Sequence, residues 1–181
     1  KRRVQVEVAY LLFLAEKRLI PQFTAKQIAQ LKKVVTEFDE EQATIIKKYE
    51  KQTKHDVKAV EYYLQEQLKK ISIPGEEYIH IALTSEDVNS IAYSLLLQAA
   101  KDGVAVPKIR EVLAQLKKMA EEYAGLAMLG RTHGQPAIAT SMGKELIVFA
   151  VRLLSELQIL EKLPVEAKLN GAVGNFNAHS L

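Results

Sequence analysis

The sequence predicts an all-α protein, and three observations carry the prediction. Apolar residues recur at three- and four-residue spacings along most of the chain, no segment alternates convincingly with period two, and proline or glycine punctuates the periodic runs. Each helix can be justified in turn. Val4, Val8, Leu11, Leu12, Ala15 and Leu19 place one apolar stripe on a first helix that Pro21 terminates. Thr24 with Gln27, and Asp39 with Gln42, have the spacing of a capping box, in which two side chains close the open hydrogen bonds of a first turn. Short helices are expected to begin at both. From Asp56 onward, Val57, Val60, Leu64, Leu68 and Ile71 form another stripe, closed by the turn sequence SIPG at Ser72 to Gly75, the clearest internal boundary.

After the segment EEYIHIAL, the motif TSED at Thr84 to Asp87 opens a helix with Ser85 expected as its cap. Its first-turn carboxylates favour the helix dipole. Val88, Ile91, Leu95 and Ala99 then face one way. Gly103 is expected to break this run, and Pro107 to sit in the first turn of the next helix, which Ile109, Val112, Leu113, Leu116, Met119 and Tyr123 carry. A last long helix is expected from about Ser141, with Leu146, Phe149, Ala150, Leu153, Leu157 and Leu160 inward. The stripes of these last three helices are broader than one antiparallel pair would cover, so they must meet further surface.

Composition narrows the function classes. With 181 residues, 48% of them hydrophobic and 26% charged, the chain can bury a core and reads as an ordinary globular protein. A net charge of +3, with lysines dispersed among glutamates and no basic run interleaved with aromatics, gives no case for nucleic acid as a partner. The absence of cysteine removes disulfides and thiolate metal sites and fits a reducing compartment. No uninterrupted apolar stretch of about 18 residues argues for a membrane span, and the opening segment reads as an amphipathic helix rather than a signal peptide. The histidines lack metal-ligand spacing, and neither a phosphate-cradling glycine loop nor a hydrolase elbow is present. The chain opens at Lys1 and closes at NAHSL just after a glycine-rich stretch, which reads as a fragment.

Three polar clusters interrupt the helical pattern at breaks or helix starts, where backbone donors are free: TKHD (53–56), TSED (84–87) and RTHGQP (131–136). If they converge, they gather two imidazoles, several hydroxyls and helix N-termini, a set suited to an anionic ligand and to proton transfer near neutral pH. Capping alone accounts for most of the first two clusters. It does not account for the third, because a histidine between threonine and glycine, followed by glutamine and proline, makes a poor cap. His80 lies in an apolar run and reads as a packed core histidine. The closing stretch LNGAVGNFNAH (169–179) reads equally as a helix-to-helix turn or as a loop lining a polar pocket.

Taken together, TKHDVKAVEYYL, TSED, RTHGQPA and NGAVGNFNAH resemble, in that chain order, the motifs of the fumarase and aspartase superfamily, its bacterial adenylosuccinate lyase branch above all. The resemblance runs over essentially the whole chain. It implies a partial N-terminal helical domain over residues 1–83 and the first part of a long-helix bundle over 84–181. It also implies a cytoplasmic lyase that releases fumarate from adenylosuccinate and from the succinyl-carboxamide ribotide of purine synthesis, with no cofactor and no metal. His133 matches the family histidine assigned to proton transfer, as general acid to the leaving nitrogen, with Thr132 and Gln135 shaping its pocket. Lys54, His55 and Asp56 match a substrate-binding segment. Thr84 and Ser85 match the pair that holds the succinyl portion, and Asn170 and Asn175 are further candidates. The family's base is a serine on a loop with a Met-Pro-x-Lys-x-Asn-Pro-like signature, and its N-terminal arginine-tyrosine pair contacts phosphate. Residues 1–181 contain neither, so by the resemblance they lack turnover on their own. Family active sites are assembled from several chains of a homotetramer. Argininosuccinate lyase, fumarase or aspartase would keep the chemistry and change the leaving group, and a catalytically inactive helical assembly module is the alternative from another class.

Overall fold

The computed structural model describes residues 1–180, and the chain divides into two compact units. The first comprises residues 1–96 and the segment from Glu166 onward, and the second comprises residues 97–165.

In the first unit, α1 (Arg2–Glu16), α2 (Ala25–Thr36), α3 (Glu40–Thr53) and α4 (Asp56–Lys70) enclose one core. Val4, Leu11, Leu31, Tyr63, Leu64 and Leu68 are almost wholly buried there, and the Phe38 ring meets Tyr63 edge-on at 5.9 Å. Both capping boxes form. Thr24 accepts from the Gln27 N–H while the Gln27 side chain takes the Thr24 N–H, and Asp39 with Gln42 does the same for α3. The expected stripe on α1 is too long by one residue. The helix ends at Glu16, Arg18 takes a left-handed φ of 60°, and Leu19 is left 69% exposed, because the chain turns before Pro21 is reached. A second, smaller core joins α1 and α4 to α5 (Ser85–Ala100) through Val6, Val57, Leu83, Val88 and Ala92.

Gly103 does not break the helix as expected. The backbone passes through Lys101–Ala105 as a π turn and continues as α6 (Val106–Glu122), with Pro107 in its first turn. Proline has no N–H to give to the carbonyl four residues back, here that of Gly103, and its ring presses on that carbonyl. A wider turn at a residue without a side chain relieves the clash.

In the second unit α6 packs along α7 (Met142–Lys162), with Ala120, Ala150 and Leu157 buried. Gly143 sits where any Cβ would collide with the Ala120 carbonyl and the Ala124 backbone, so glycine is what allows the close approach. Ser141 caps α7 by accepting from the Lys144 N–H at 3.2 Å. The buried Lys101 ammonium donates to the Leu163 carbonyl at 2.9 Å, placing a cation at the negative end of the α7 dipole. One expectation is corrected: Phe149, expected to face inward, is 59% exposed, and on α6 Val112 is 51% exposed.

The protein is mostly helical, as expected, with one addition. Residues 127–141 form an antiparallel hairpin, β1 (Ala127–Thr132) and β2 (Gln135–Ser141). Its register slips between Leu129 and Arg131, and a Cβ on the intervening Gly130 would strike the Ile138 carbonyl. Period-two alternation is absent because both faces of the hairpin are largely exposed, so no apolar face needed to be written into it. Among the described residues no helix is long and apolar enough to cross a membrane.

Candidate functional site

The clusters TKHD and TSED both lie in the first unit, and they meet. His55 is the N-cap of α4, its Nδ1 accepting the Lys58 N–H at 3.2 Å. An Nδ1 that accepts leaves the proton on Nε2, so Nε2 is the donor in the 3.3 Å contact with Ser85 Oγ. The imidazole therefore serves twice, closing a helix with one nitrogen and pointing a hydroxyl with the other. The Thr53 hydroxyl donates to the His55 carbonyl at 3.0 Å.

Lys54 ends α3 in a left-handed conformation, φ 56°, where a non-glycine residue costs about 1–2 kcal/mol. It opens, with Lys47, Glu50, Lys51, His55 and Asp56, onto a cleft of about 700 Å³. Asp56 begins α4; its Oδ1 accepts the Val57 N–H at 2.8 Å, and its Oδ2 lies 2.6 Å from the Arg3 guanidinium. Arg3 also donates to Asn89 Oδ1 at 2.6 Å, and so ties α1 to the starts of α4 and α5.

The start of α5 differs from expectation in one respect. Ser85 is its first helical residue rather than its cap, and the residue before it, Thr84, closes the turn with Asp87. The Asp87 Oδ2 accepts the Thr84 N–H at 3.0 Å and the Thr84 hydroxyl at 2.7 Å. The Ser85 hydroxyl is thereby freed for His55. Asp87 is wholly buried, and its Oδ1 accepts the Asn170 N–H at 3.0 Å, the Gly171 N–H at 3.1 Å and the Lys168 ammonium at 3.3 Å. Burial on its own would raise the Asp87 pKa. The Thr84 hydroxyl and N–H, the Gly171 N–H and Lys168 outweigh it and hold the carboxyl down at about 2. Asn170 and Gly171 are thus packed against the α5 start, Gly171 buried and at φ 84°, while residues 172–177 are exposed. The His179 Nε2 lies 3.9 Å from Asp87 Oδ2, and both ring nitrogens are buried without a hydrogen-bond partner, as is Asn170 Oδ1.

His80 is half-buried, as its apolar surroundings suggested, and it is also paired. Its Nδ1 lies 2.6 Å from Oε1 of Glu7, whose side chain is fully buried. Neither Asp87 nor Glu7 stood out among the candidate residues. For Asp87 a local signal exists, since the Thr84 to Asp87 spacing is that of the Thr24–Gln27 and Asp39–Gln42 capping boxes. For Glu7 there was none, because its partner is 73 residues away.

The third cluster belongs to the second unit. Thr132 and Gln135 are the last paired residues of the hairpin, and His133 with Gly134 forms its two-residue loop. Both loop residues have positive φ, 52° and 76°, as a type I′ turn requires. His133 occupies a position at which Asn is favoured and a bulkier side chain is strained. All four residues are exposed. Among the described residues no group of three or more metal-ligating side chains occurs.

The family model described as Lyase matches residues 1–181. The chain belongs to that family. Its similarity is to adenylosuccinate lyases in particular: 45% identity to the adenylosuccinate lyase of Legionella pneumophila and 43% to that of Escherichia coli. These alignments cover 98% and 99% of the chain but 40% of each relative, so the chain spans about 40% of the length of the curated relatives it matches. Among solved structures, a β-carboxy-cis,cis-muconate cycloisomerase from Acinetobacter calcoaceticus matches with a TM-score of 0.79 at 22% identity, over 99% of this chain and 42% of that one. A fumarate lyase from Mesorhizobium matches with the same TM-score at 20% identity, over 99% and 41%. At those identities the likeness speaks for the fold alone.

Proposed function

We propose that the protein is an adenylosuccinate lyase, eliminating fumarate from adenylosuccinate to give AMP, and from the succinyl-carboxamide ribotide of purine synthesis. The reaction removes a proton from the carbon next to a succinyl carboxylate, passes that electron pair through an aci-carboxylate into the new C=C bond, and breaks the C–N bond so that its pair leaves on nitrogen. Each step needs a differently poised group. His133 is the acid that protonates the departing nitrogen, with Thr132 and Gln135 shaping its pocket. Thr84 and Ser85 hold the succinyl carboxylates, and Lys54, His55 and Asp56 bind the nucleotide side and orient Ser85. Proton abstraction is assigned to none of these 181 residues. A homotetramer in the cytoplasm, with a domain boundary at 83/84 and active sites shared between chains, completes the proposal.

The observation that carries this reading is the 3.3 Å contact between His55 Nε2 and Ser85 Oγ, which joins two clusters 30 residues apart that capping alone has no reason to join. The relatives' names support the choice of substrate. Strain supports the choice of His133: a histidine kept at a left-handed φ of 52° stands where asparagine is easier.

The test is fumarate release by the protein expressed from the full reading frame that contains this chain, with adenylosuccinate and argininosuccinate in parallel, and with a His133→Asn variant. Asparagine suits the turn, so we expect melting temperature to hold or rise slightly while kcat falls by at least about 100-fold, the upper range for a lost general acid being about 10⁴. Cleavage of argininosuccinate, or full activity in the variant, overturns the substrate or the acid. The 181 residues alone are expected to give no turnover.

A further inference from the structure

We propose that Asp87 is a positioning residue for the subsite that receives the substrate's succinyl carboxylates, which rests on the reading above that Ser85 belongs to that subsite. Five donors converge on this one buried carboxylate. Oδ2 takes the N–H and hydroxyl of Thr84, and Oδ1 takes the Asn170 and Gly171 N–H groups and the Lys168 ammonium. One set belongs to the start of α5, the other to a turn more than 80 residues further along the chain. The carboxylate is therefore the joint between the two, and both of its oxygens are in use.

Two consequences follow for the neighbouring residue. Because Asp87 closes the first turn through Thr84, the hydroxyl of Ser85 is released from capping and stands against His55 Nε2. Because the Thr84 hydroxyl and N–H both donate to Asp87, and the Asp87 N–H donates to the Thr84 carbonyl, Thr84 serves an incoming carboxylate by shaping the helix start, and the donors left there are the Ser85 hydroxyl and the N–H groups of Ser85 and Glu86. Asp87 touches no substrate. It places the group that does, and its negative charge, already neutralised by Lys168 and four neutral donors, stays buried behind them.

Asparagine cannot replace it. Whichever way the amide is turned, its NH2 faces one of the two donor sets, and no backbone N–H in either set can reverse its role. In the protein expressed from the full reading frame, we expect Asp87→Asn to raise KM for adenylosuccinate about tenfold or more with kcat changed less than about threefold. Competitive inhibition by succinate, which probes the carboxylate subsite alone, weakens by the same factor. Inhibition by AMP, which lacks the succinyl group, stays within about twofold. Asp87→Glu keeps the charge, displaces both oxygens by a methylene, and is expected to show the same selective loss if Asp87→Asn does not fold. A folded variant with unchanged KM and unchanged succinate inhibition overturns the proposal. So does equal loss for succinate and AMP, or failure of both variants to fold, each of which makes Asp87 a scaffold residue only. If the unsubstituted protein releases no fumarate from adenylosuccinate, it is the underlying reading that fails.

Discussion

Glu7 and His80 are the residues through which pH reaches the fold most directly. Burial alone would lower the His80 pKa; the hydrogen bond it donates to Glu7 and the charges of Glu7 and Glu61 outweigh it and the repulsion of Lys58, and raise it above 6.5. A raised folded value means that the pair's stabilisation is complete below pH 6.5 and is lost as pH rises through the elevated value. Asp87 works in the opposite direction. Held at about 2 against an ordinary 3.8, it contributes about 2 kcal/mol that is present above pH 3.8 and lost as pH falls toward 2. Urea midpoints measured across pH should therefore fall on both sides. His80→Ala leaves Glu7 buried without its cation and should cost about 3 kcal/mol near pH 6, whereas Glu7→Gln buries no charge and should cost less. Both should abolish the alkaline loss, and a loss that persists in either variant would assign it to another group.

At the scale of elements, the helix starts hold the candidate residues, and structural duty there can be separated from chemistry. His55 caps α4 through Nδ1 and reaches Ser85 through Nε2. Asparagine is among the best N-caps but is too short to serve both partners, so His55→Asn should keep stability within about 0.5 kcal/mol while raising KM. His55→Ala removes the cap as well and should cost about 1 kcal/mol. Thermal melts and steady-state kinetics on the pair decide it. Equal destabilisation by both substitutions would mean that the cap carries no weight. The second unit's hairpin holds His133 at its tip by turn geometry alone, since no buried contact secures it.

For the whole molecule, the second unit leaves large apolar side chains in the open. Val104 in the π turn and Phe149, Val151 and Ile159 on α7 are each more than half exposed, apolar area that water does not favour. We expect the 181-residue chain on its own to self-associate at micromolar concentration in sedimentation experiments. A monodisperse monomer would show that these side chains are tolerated singly and would remove the argument for an interface on this face.

What the amino-acid sequence determined by itself was whatever acts over three or four residues. The boxes of Thr24 with Gln27 and Asp39 with Gln42, the stripe of α4, the start of α7 near Ser141 and the break at RTHGQP were all legible, because a hydrogen bond within one turn depends only on its nearest neighbours. Only the tertiary structure decided which clusters meet: His55 with Ser85 across 30 residues, Glu7 with His80 across 73, Asp87 with Gly171 across 84. It also decided that Gly103 is bridged by a π turn, that the break is a hairpin, and that Phe149 points outward. The meetings of these clusters turn on packing between distant segments, which no local spacing records, whereas the π turn answers to Pro107 four residues on.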